Sequence, residues 1–309
     1  MKIAITSKAF SNNSQLVELV SQKFSDYKLN LSGAKLNEDE LIDFISDCEG
    51  VILALENVTD RVLSKSPKLK VISKFGVGTD NIDFKACERY GIEVFCHPGV
   101  NRHSVAELTL CMFLMLTRNV FNSALKLSSG VWLKQGGYSL YGKTIGIIGC
   151  GNIGAELINL LSPFSCRILI NDIMDKQLIC QQYLVEQVDL STILTEADIV
   201  SLHVPLTSET RNMVNIGFIK KMKPNSLLVN TSRGEIVDLM ALKSALLNNI
   251  IAGAAIDVYP VEPPTDLQLL ALPNLIPTPH IGGNSKEATI EMGASAIKSL
   301  CKYFKIDEN

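Results

Sequence analysis

Short runs rich in β-branched residues alternate with amphipathic segments from one end of this 309-residue chain to the other. In the first third, strands are predicted over residues 2–6, 27–32, 50–55, 70–75 and 92–96, with helices over residues 13–24, 38–47 and 80–90. Further strands are predicted over residues 144–149, 167–172, 199–203, 226–231 and 251–258. This alternation predicts an α/β fold of parallel sheets with helices on both faces.

The segment His97-Pro98-Gly99-Val100 is the predicted hinge between two domains, because Pro and Gly end the fifth strand there. We expect one domain to comprise residues 1–98 and 281–309, and the other to comprise residues 99–280. Both are predicted to be doubly wound parallel-sheet domains, with the active site in the cleft between them.

After the hinge, a long helix is predicted over residues 101–118, and it is apolar nearly all round. Such a helix must be covered on both sides. It is either a fully enclosed core helix, or it packs one face on its own domain and the other on a second subunit. Most soluble oligomers are symmetric homodimers, so we favour a homodimer.

Composition excludes several classes of partner. The formal net charge of −3 gives no long-range attraction to nucleic acid or to an anionic membrane, so we expect neither as a partner. The apolar run at the amino terminus is short and is interrupted by Lys8, so we expect it not to be a signal peptide. The eight cysteines include no CxxC pair, which favours reduced thiols in a cytoplasmic protein and no metal site.

A glycine motif follows one predicted strand directly. Gly149, Gly151 and Gly154 form GxGxxG where the strand 144–149 leads into a helix. These glycines allow a tight turn, close approach to a pyrophosphate and close packing of helix on strand. The next strand ends at Asp172, whose carboxylate can bind ribose hydroxyls and repel a 2′-phosphate. The pattern favours NAD over NADP, and the alternative is a structural turn beside a solvated aspartate.

Three later segments place polar residues beyond predicted strands. Arg233 follows a buried strand, Glu262 lies in a proline-rich loop, and His280 stands between a proline and two glycines. Oxidation of a 2-hydroxy acid needs a base, for which histidine oriented by a carboxylate is suited. Arginine can bind the substrate carboxylate in bidentate fashion. Each residue alone could instead be structural.

Further motifs stand in a fixed order with these residues: KFGVGTDNID at 74–83, SVAE at 104–107, GCGNIG at 149–154, LHVPLT at 202–207, NTSRG at 230–234, Asp257…Glu262-Pro263 and Pro279-His280. Together they resemble the D-isomer-specific 2-hydroxyacid dehydrogenases, particularly short D-3-phosphoglycerate dehydrogenase-like members. The resemblance implies a Rossmann NAD-binding domain and a flavodoxin-like substrate domain.

The resemblance also implies residue roles. Arg233, Glu262 and His280 would be catalytic, with His280 as the acid in keto-acid reduction. Substrate-binding residues would be Val77, Gly78 and Asn101. Cofactor-binding residues would be Ser104, Gly149, Gly151, Asn152, Ile153, Gly154, Asp172, His203, Pro205, Thr231 and Asp257.

The substrate is expected to be a small D-2-hydroxy acid or 2-keto acid, and 3-phosphoglycerate is one candidate. The alternatives are a glyoxylate or hydroxypyruvate reductase, and a non-enzymatic NAD-sensing binding protein of the same fold. Phosphoglycerate enzymes often carry an arginine near Ala54-Leu55-Glu56, whereas this chain has Glu56 there, although Lys74 and Arg102 could still meet a phosphate. The pairing of Glu262 with His280 argues against a formate dehydrogenase, which has glutamine in place of the carboxylate.

Overall fold

The structure is a computed structural model that describes residues 1–306 and divides into two compact units. Unit 1 comprises Met1–Asn101 and the carboxyl-terminal segment from Gly283, and unit 2 comprises Arg102–Gly282. The boundaries lie a few residues beyond those expected from the sequence. Residues 98–101 form a turn before the next helix begins, and this turn stays with unit 1.

Unit 1 is built on a five-stranded parallel sheet with the order β2-β1-β3-β4-β5 in the described part of the chain. This is the flavodoxin-like order of a doubly wound sheet. Its elements are β1 Lys2–Ile5, α1 Lys8–Ser11, α2 Ser14–Lys23, β2 Asp26–Leu29, α3 Glu38–Ile45, β3 Gly50–Leu53, α4 Asp60–Ser64, β4 Val71–Lys74, α5 Phe84–Arg89, β5 Glu93–Phe95 and α14 Lys286–Phe304.

Unit 2 contains a seven-stranded parallel sheet with the order β12-β11-β10-β9-β6-β7-β8 among its described residues. This is the Rossmann order extended by one strand. Its elements are α6 Arg102–Thr117, α7 Val120–Ser128, β6 Thr144–Ile148, α8 Asn152–Leu161, β7 Arg167–Asn171, α9 Gln177–Tyr183, β8 Glu186–Gln187, α10 Leu190–Glu196, β9 Ile199–Leu202, α11 Ile216–Lys221, β10 Leu227–Asn230, α12 Leu239–Leu247, β11 Gly253–Ile256, α13 Leu267–Leu270 and β12 Leu275–Pro277.

The predicted α/β class with two parallel sheets is confirmed. The sequence missed β8 and β12, which have two and three residues and are too short to show a periodic pattern. Several predicted strands ran one residue too far: Gly149, Asp172, His203 and Thr231 each lie just past a strand end. In parallel sheets these carboxyl ends share one edge, where ligands bind.

Helix α6 is buried on one face only. Val105, Ala106, Thr109, Met112, Phe113 and Thr117 face the core. On the opposite face Cys111 is exposed, and Leu110, Leu114 and Met115 are half-buried. A fully enclosed core helix is therefore not what this chain forms by itself.

No single helix in residues 1–306 is long and apolar enough to cross a membrane. Helices α6 and α7 taken together pass that test by length and composition, although they are bent by 68° relative to each other.

Candidate active site

The glycine motif forms a tight loop between β6 and α8 in unit 2. Gly149 has a φ of +93°, and a Cβ there would lie 2.7 Å from the carbonyl carbon of His203. A Cβ on Gly154 would lie 2.4 Å from the carbonyl oxygen of Gly149, so only glycine permits this approach of helix to loop. A Cβ on Gly151 would meet open space. The loop can thus bring backbone N–H groups close to a pyrophosphate at the amino end of α8.

Asp172 directly follows β7, next to this loop. Its Oδ2 accepts a hydrogen bond from the backbone N–H of Cys150 and its Oδ1 accepts one from Met174, both at 2.8 Å. The ammonium of Lys176 lies 3.6 Å from Oδ2. A carboxylate has about four lone-pair positions, so acceptor capacity remains for ribose hydroxyls. The residues present fit the adenosine end of NAD.

Four further predicted cofactor residues of unit 2 lie at the start of α8 and in the segment that follows β9. Asn152 opens α8, followed by the half-buried Ile153. His203 follows β9, and burial lowers the pKa of its imidazole to about 4. Its Nε2 lies 2.9 Å from Ser201 Oγ, while Nδ1 is buried without a hydrogen-bond partner among the described residues. The carbonyl of Pro205 accepts from Thr210 Oγ1 at 2.7 Å.

Arg233 is presented by a turn that Asn230 closes. Asn230 Oδ1 accepts hydrogen bonds from the N–H and the hydroxyl of Ser232, and its Nδ2 donates to the carbonyl of Arg233 at 2.9 Å. Thr231, at the start of this turn, is 7% exposed, and its Oγ1 lies 3.0 Å from Thr109 Oγ1 on α6. The polar residues after β10 therefore form one hydrogen-bonded turn, with the Arg233 side chain half-buried.

Glu262 and His280 form a direct pair. Nδ1 of His280 lies 2.8 Å from Oε2 and 3.0 Å from Oε1 of Glu262, and the backbone N–H of Tyr259 donates to Oε1 at 3.1 Å. The His280 side chain is 40% exposed, so its ring is accessible to a ligand. The contact of the carboxylate with Nδ1 orients the imidazole ring.

Charges within this cluster shift both pKa values. The pKa of His280 is raised, chiefly by the hydrogen bond to Glu262. Burial lowers this pKa, and the charge of Glu262 raises it further. Burial raises the pKa of Glu262, but the hydrogen bond and charge of His280 outweigh it, and the pKa is lowered. Arg233 lowers both pKa values through its charge, so it lies within electrostatic reach of the pair. The structure brings the three predicted catalytic residues together.

The loop that carries His280, residues 278–282, is fixed by the buried carboxylate of Asp257. His280 has a φ of +55°, which is unusual for a residue with a side chain. Asp257 Oδ1 accepts hydrogen bonds from Thr278 Oγ1 at 2.6 Å and from the Ile281 N–H at 2.9 Å, and Oδ2 accepts one from the Gly282 N–H at 2.8 Å. These three hydrogen bonds to Asp257 hold the loop in its strained conformation.

Ser104, at the start of α6, contacts the same loop. Its hydroxyl donates to the carbonyl of Gly282 at 2.6 Å. Helix α6 therefore reaches both the loop of His280, through Ser104, and the turn of Arg233, through the contact between Thr109 and Thr231.

The predicted substrate residues belong to unit 1. Val77 and Gly78 are half-buried and follow β4, after a turn in which Gly76 has a φ of +107°. Asn101 is 9% exposed, and its Oδ1 has no hydrogen-bond partner within residues 1–306. A buried acceptor without a partner is suited to a ligand.

Sequence reasoning did not assign the Cys150 N–H, Thr109 or Gln187, each of which hydrogen-bonds a predicted site residue. These contacts join residues distant in sequence and have no local signal. No group of three or more His, Cys, Asp or Glu is placed to hold a metal ion in the part of the chain that the structure describes.

The sequence model of the NAD binding domain of D-isomer specific 2-hydroxyacid dehydrogenases matches residues 110–282. Hydroxypyruvate reductase from Thermotoga maritima is 36% identical over 285 residues, which cover 90% of this chain and 92% of that enzyme. D-3-phosphoglycerate dehydrogenase from Escherichia coli is 38% identical over 276 residues, which cover 87% of this chain and 67% of that enzyme.

Among solved structures, D-lactate dehydrogenase from Aquifex aeolicus, complexed with NAD and lactic acid, matches with a TM-score of 0.84 and 26% sequence identity. That match covers 99% of this chain and 96% of the other. The names of these similar enzymes differ in substrate and agree in the type of reaction.

Proposed function

This chain belongs to the D-isomer specific 2-hydroxyacid dehydrogenase family and is an NAD-dependent enzyme of it, and from that premise we propose that it reduces a small, unphosphorylated 2-keto acid. The observation that carries the proposal is the pair of His280 and Glu262, with 2.8 Å between Nδ1 and Oε2, within electrostatic reach of Arg233. A base, the carboxylate that orients it and a cation for the substrate are the groups that this reaction needs.

NADH, when bound, supplies the hydride for the keto carbon. His280, protonated and oriented by Glu262, donates the proton from Nε2 to the carbonyl oxygen, which becomes the hydroxyl of the product. Arg233 binds the substrate carboxylate and polarises the carbonyl. In the oxidation direction, neutral His280 accepts the hydroxyl proton.

For the substrate, we propose that the backbone N–H groups of Val77 and Gly78 bind its carboxylate and that Asn101 lines the same pocket. The buried, unpartnered Oδ1 of Asn101 supports this assignment, since it can accept a hydrogen bond from a hydroxyl group. We assign the cofactor to the glycine motif, Asp172 and the further residues named for it above.

A buried carboxylate in the segment after β3 supports an unphosphorylated substrate. Glu56 is 2% exposed and follows β3, which pairs with β4, the strand that precedes Val77. Its Oε2 accepts a hydrogen bond from Thr6 Oγ1 at 2.5 Å. Lys74, which is 3% exposed, donates to the carbonyl of Ala54. A carboxylic side chain thus stands where a phosphate-binding cation would be expected, and the Lys74 ammonium is engaged by a backbone carbonyl, so we propose that a phosphate group is disfavoured here. We therefore favour hydroxypyruvate or glyoxylate over phosphohydroxypyruvate.

The test is the loss of NADH absorbance with glyoxylate, hydroxypyruvate, pyruvate and phosphohydroxypyruvate as substrates. We expect the highest kcat/KM with hydroxypyruvate or glyoxylate, and loss of turnover in both Arg233→Ala and His280→Ala. Arg211→Ala, which removes an exposed arginine of unit 2, is the matched control and should retain turnover.

Two results would contradict this proposal. A preference for phosphohydroxypyruvate would identify a phosphoglycerate dehydrogenase and would show that Glu56 does not exclude phosphate. Tight NADH binding without turnover of any keto acid would favour an NAD-sensing binding protein.

We also propose a homodimer in the cytoplasm. The half-buried face of α6 supports the dimer, because Leu110, Leu114 and Met115 line an open groove of about 570 Å³, together with Glu107 and Arg118, that a second subunit could cover. Sedimentation equilibrium of the full chain measures the mass directly, and a monomer at micromolar concentration would contradict the proposal.

A further inference from the structure

The segment between β7 and α9, residues 172–176, has little packing of its own. We call it the β7–α9 loop. The side chain of Ile173 is fully exposed and that of Met174 is 62% exposed. Exposed side chains add little burial energy, so the conformation of this loop depends on its hydrogen bonds.

Gln187, on the short edge strand β8, makes hydrogen bonds along the length of this loop. Its Nε2 donates to the carbonyl of Asp172 at 3.2 Å and to the carbonyl of Met174 at 2.9 Å. Its Oε1 accepts from the N–H of Lys176 at 2.9 Å. A primary amide has two donors and one acceptor oxygen, and all of them are engaged here. One side chain therefore fixes the first, third and last residues of the loop.

The Asp172 carboxylate depends on the same loop. Its Oδ1 accepts from the N–H of Met174, whose carbonyl Gln187 binds, and its Oδ2 accepts from the N–H of Cys150 in the glycine motif. The ammonium of Lys176, whose N–H Gln187 binds, lies 3.6 Å from Oδ2. A shift of the loop would thus move a partner of each carboxylate oxygen.

We propose that Gln187 is a positioning residue for the cofactor: it holds the β7–α9 loop so that Asp172 faces the adenosine ribose. This rests on the proposed role of Asp172. Binding of the ribose through hydrogen bonds requires a preorganised carboxylate, and freedom of the loop would be lost on binding and would weaken affinity. Gln187 itself does not touch the reacting atoms.

The test compares Gln187→Ala and Gln187→Glu with the wild-type enzyme, using NADH as the probe. Kd for NADH is measured by fluorescence titration without keto acid, and kcat is measured at saturating NADH. We expect Gln187→Ala to raise Kd about threefold to tenfold, the effect of one or two net hydrogen bonds. Gln187→Glu should be no better, because a carboxylate cannot donate to the two carbonyls. For both variants kcat should change by less than about twofold, since no interaction made only in the transition state is lost.

The selectivity for NADH over NADPH distinguishes a positioning role of Gln187 from a purely structural one, which would leave this selectivity unchanged. With Asp172 less fixed, discrimination between NADH and NADPH should also decrease in Gln187→Ala, because the carboxylate that repels the 2′-phosphate is displaced. Gln182→Ala, which removes an exposed glutamine of α9, is the matched control and should leave both Kd values unchanged.

An unchanged Kd for NADH in Gln187→Ala would overturn the proposal, as would a fall in kcat as large as the change in Kd. If Asp172→Ala leaves NADH affinity intact, the premise fails and the proposal with it. Failure of the wild-type enzyme to reduce any keto acid would refute the proposed function instead, since NADH affinity is measured here without turnover.

Discussion

The loop of His280 and the β7–α9 loop belong to the same unit, yet they are held in different ways. Asp257, which fixes the loop of His280, is 1% exposed and accepts its hydrogen bonds away from water. Gln187, which fixes the β7–α9 loop, is exposed on an edge strand. Charge-assisted bonds in a buried site are stronger than neutral bonds that compete with water. We infer that the loop of His280 is the more rigid of the two and that the β7–α9 loop opens more easily.

The largest expected effect is that variants in the two loops change different kinetic parameters, kcat for the loop of His280 and the KM for NADH for the β7–α9 loop. His280→Ala should lower kcat about 10²- to 10⁴-fold, the usual contribution of a general acid, with little change in the KM for NADH. Asp172→Ala should raise the KM for NADH about tenfold or more through the loss of charged hydrogen bonds, while kcat at saturating NADH is retained. Steady-state kinetics with NADH titrated at saturating keto acid measures both values.

If His280→Ala and Asp172→Ala changed the same kinetic parameter, the proposed difference between the two loops would be wrong. Circular dichroism and thermal unfolding of each variant provide the control, because a misfolded protein would lower kcat without bearing on the role of either residue.

The sequence predicted most of the fold and singled out the candidate catalytic residues, and the reasons are local. Strands such as β6 and β10 are continuously apolar because both faces are buried. Arg233 and His280 stand out because they are polar and lie next to strand ends or glycines. Glycine and aspartate at fixed spacing predicted the dinucleotide loop and the NAD cofactor, and NAD is confirmed.

The supporting contacts could not be predicted in this way. Thr109 lies on a helix that is apolar nearly all round, and its partner Thr231 is far along the chain. Gln187 lies on a strand of two residues, which is too short for any periodic pattern. Both depend on the tertiary packing of elements that the sequence places only approximately.

The next effect concerns pH. Glu262 raises the pKa of His280, so the protonated acid that reduction requires persists to higher pH. Reduction by the wild-type enzyme should therefore decrease as pH rises through that raised pKa, and oxidation should increase. Glu262→Gln removes the charge, so the descending limb of kcat for reduction should move to lower pH. At alkaline pH the rate should fall on the order of tenfold, and by less at acid pH.

Profiles of kcat against pH for both directions, taken at saturating NADH or NAD, measure this shift. A Glu262→Gln profile that falls uniformly, with its limb unmoved, would mean that Glu262 orients the ring without setting its protonation.

The smallest expected effect tests whether the contact of α6 with the turn of Arg233 contributes to cofactor binding. Thr109 and Thr117 both lie buried on α6, and each hydroxyl donates at 2.8 Å to the carbonyl four residues earlier. Only Thr109 also contacts the hydroxyl of Thr231, at 3.0 Å. Thr109→Val and Thr117→Val should each lower the free energy of unfolding by about 1 kcal/mol, the net value of a buried hydrogen bond.

Only Thr109→Val should also raise the KM for NADH, by about twofold to fivefold, because it leaves the hydroxyl of Thr231, a proposed cofactor-binding residue, without that partner. Urea unfolding and NADH titrations of the two variants measure both quantities. Equal KM values for the two variants would show that Thr109 has a structural role only. Asp257 and Ser104, which hold the loop of His280, would then remain the supporting residues of the site.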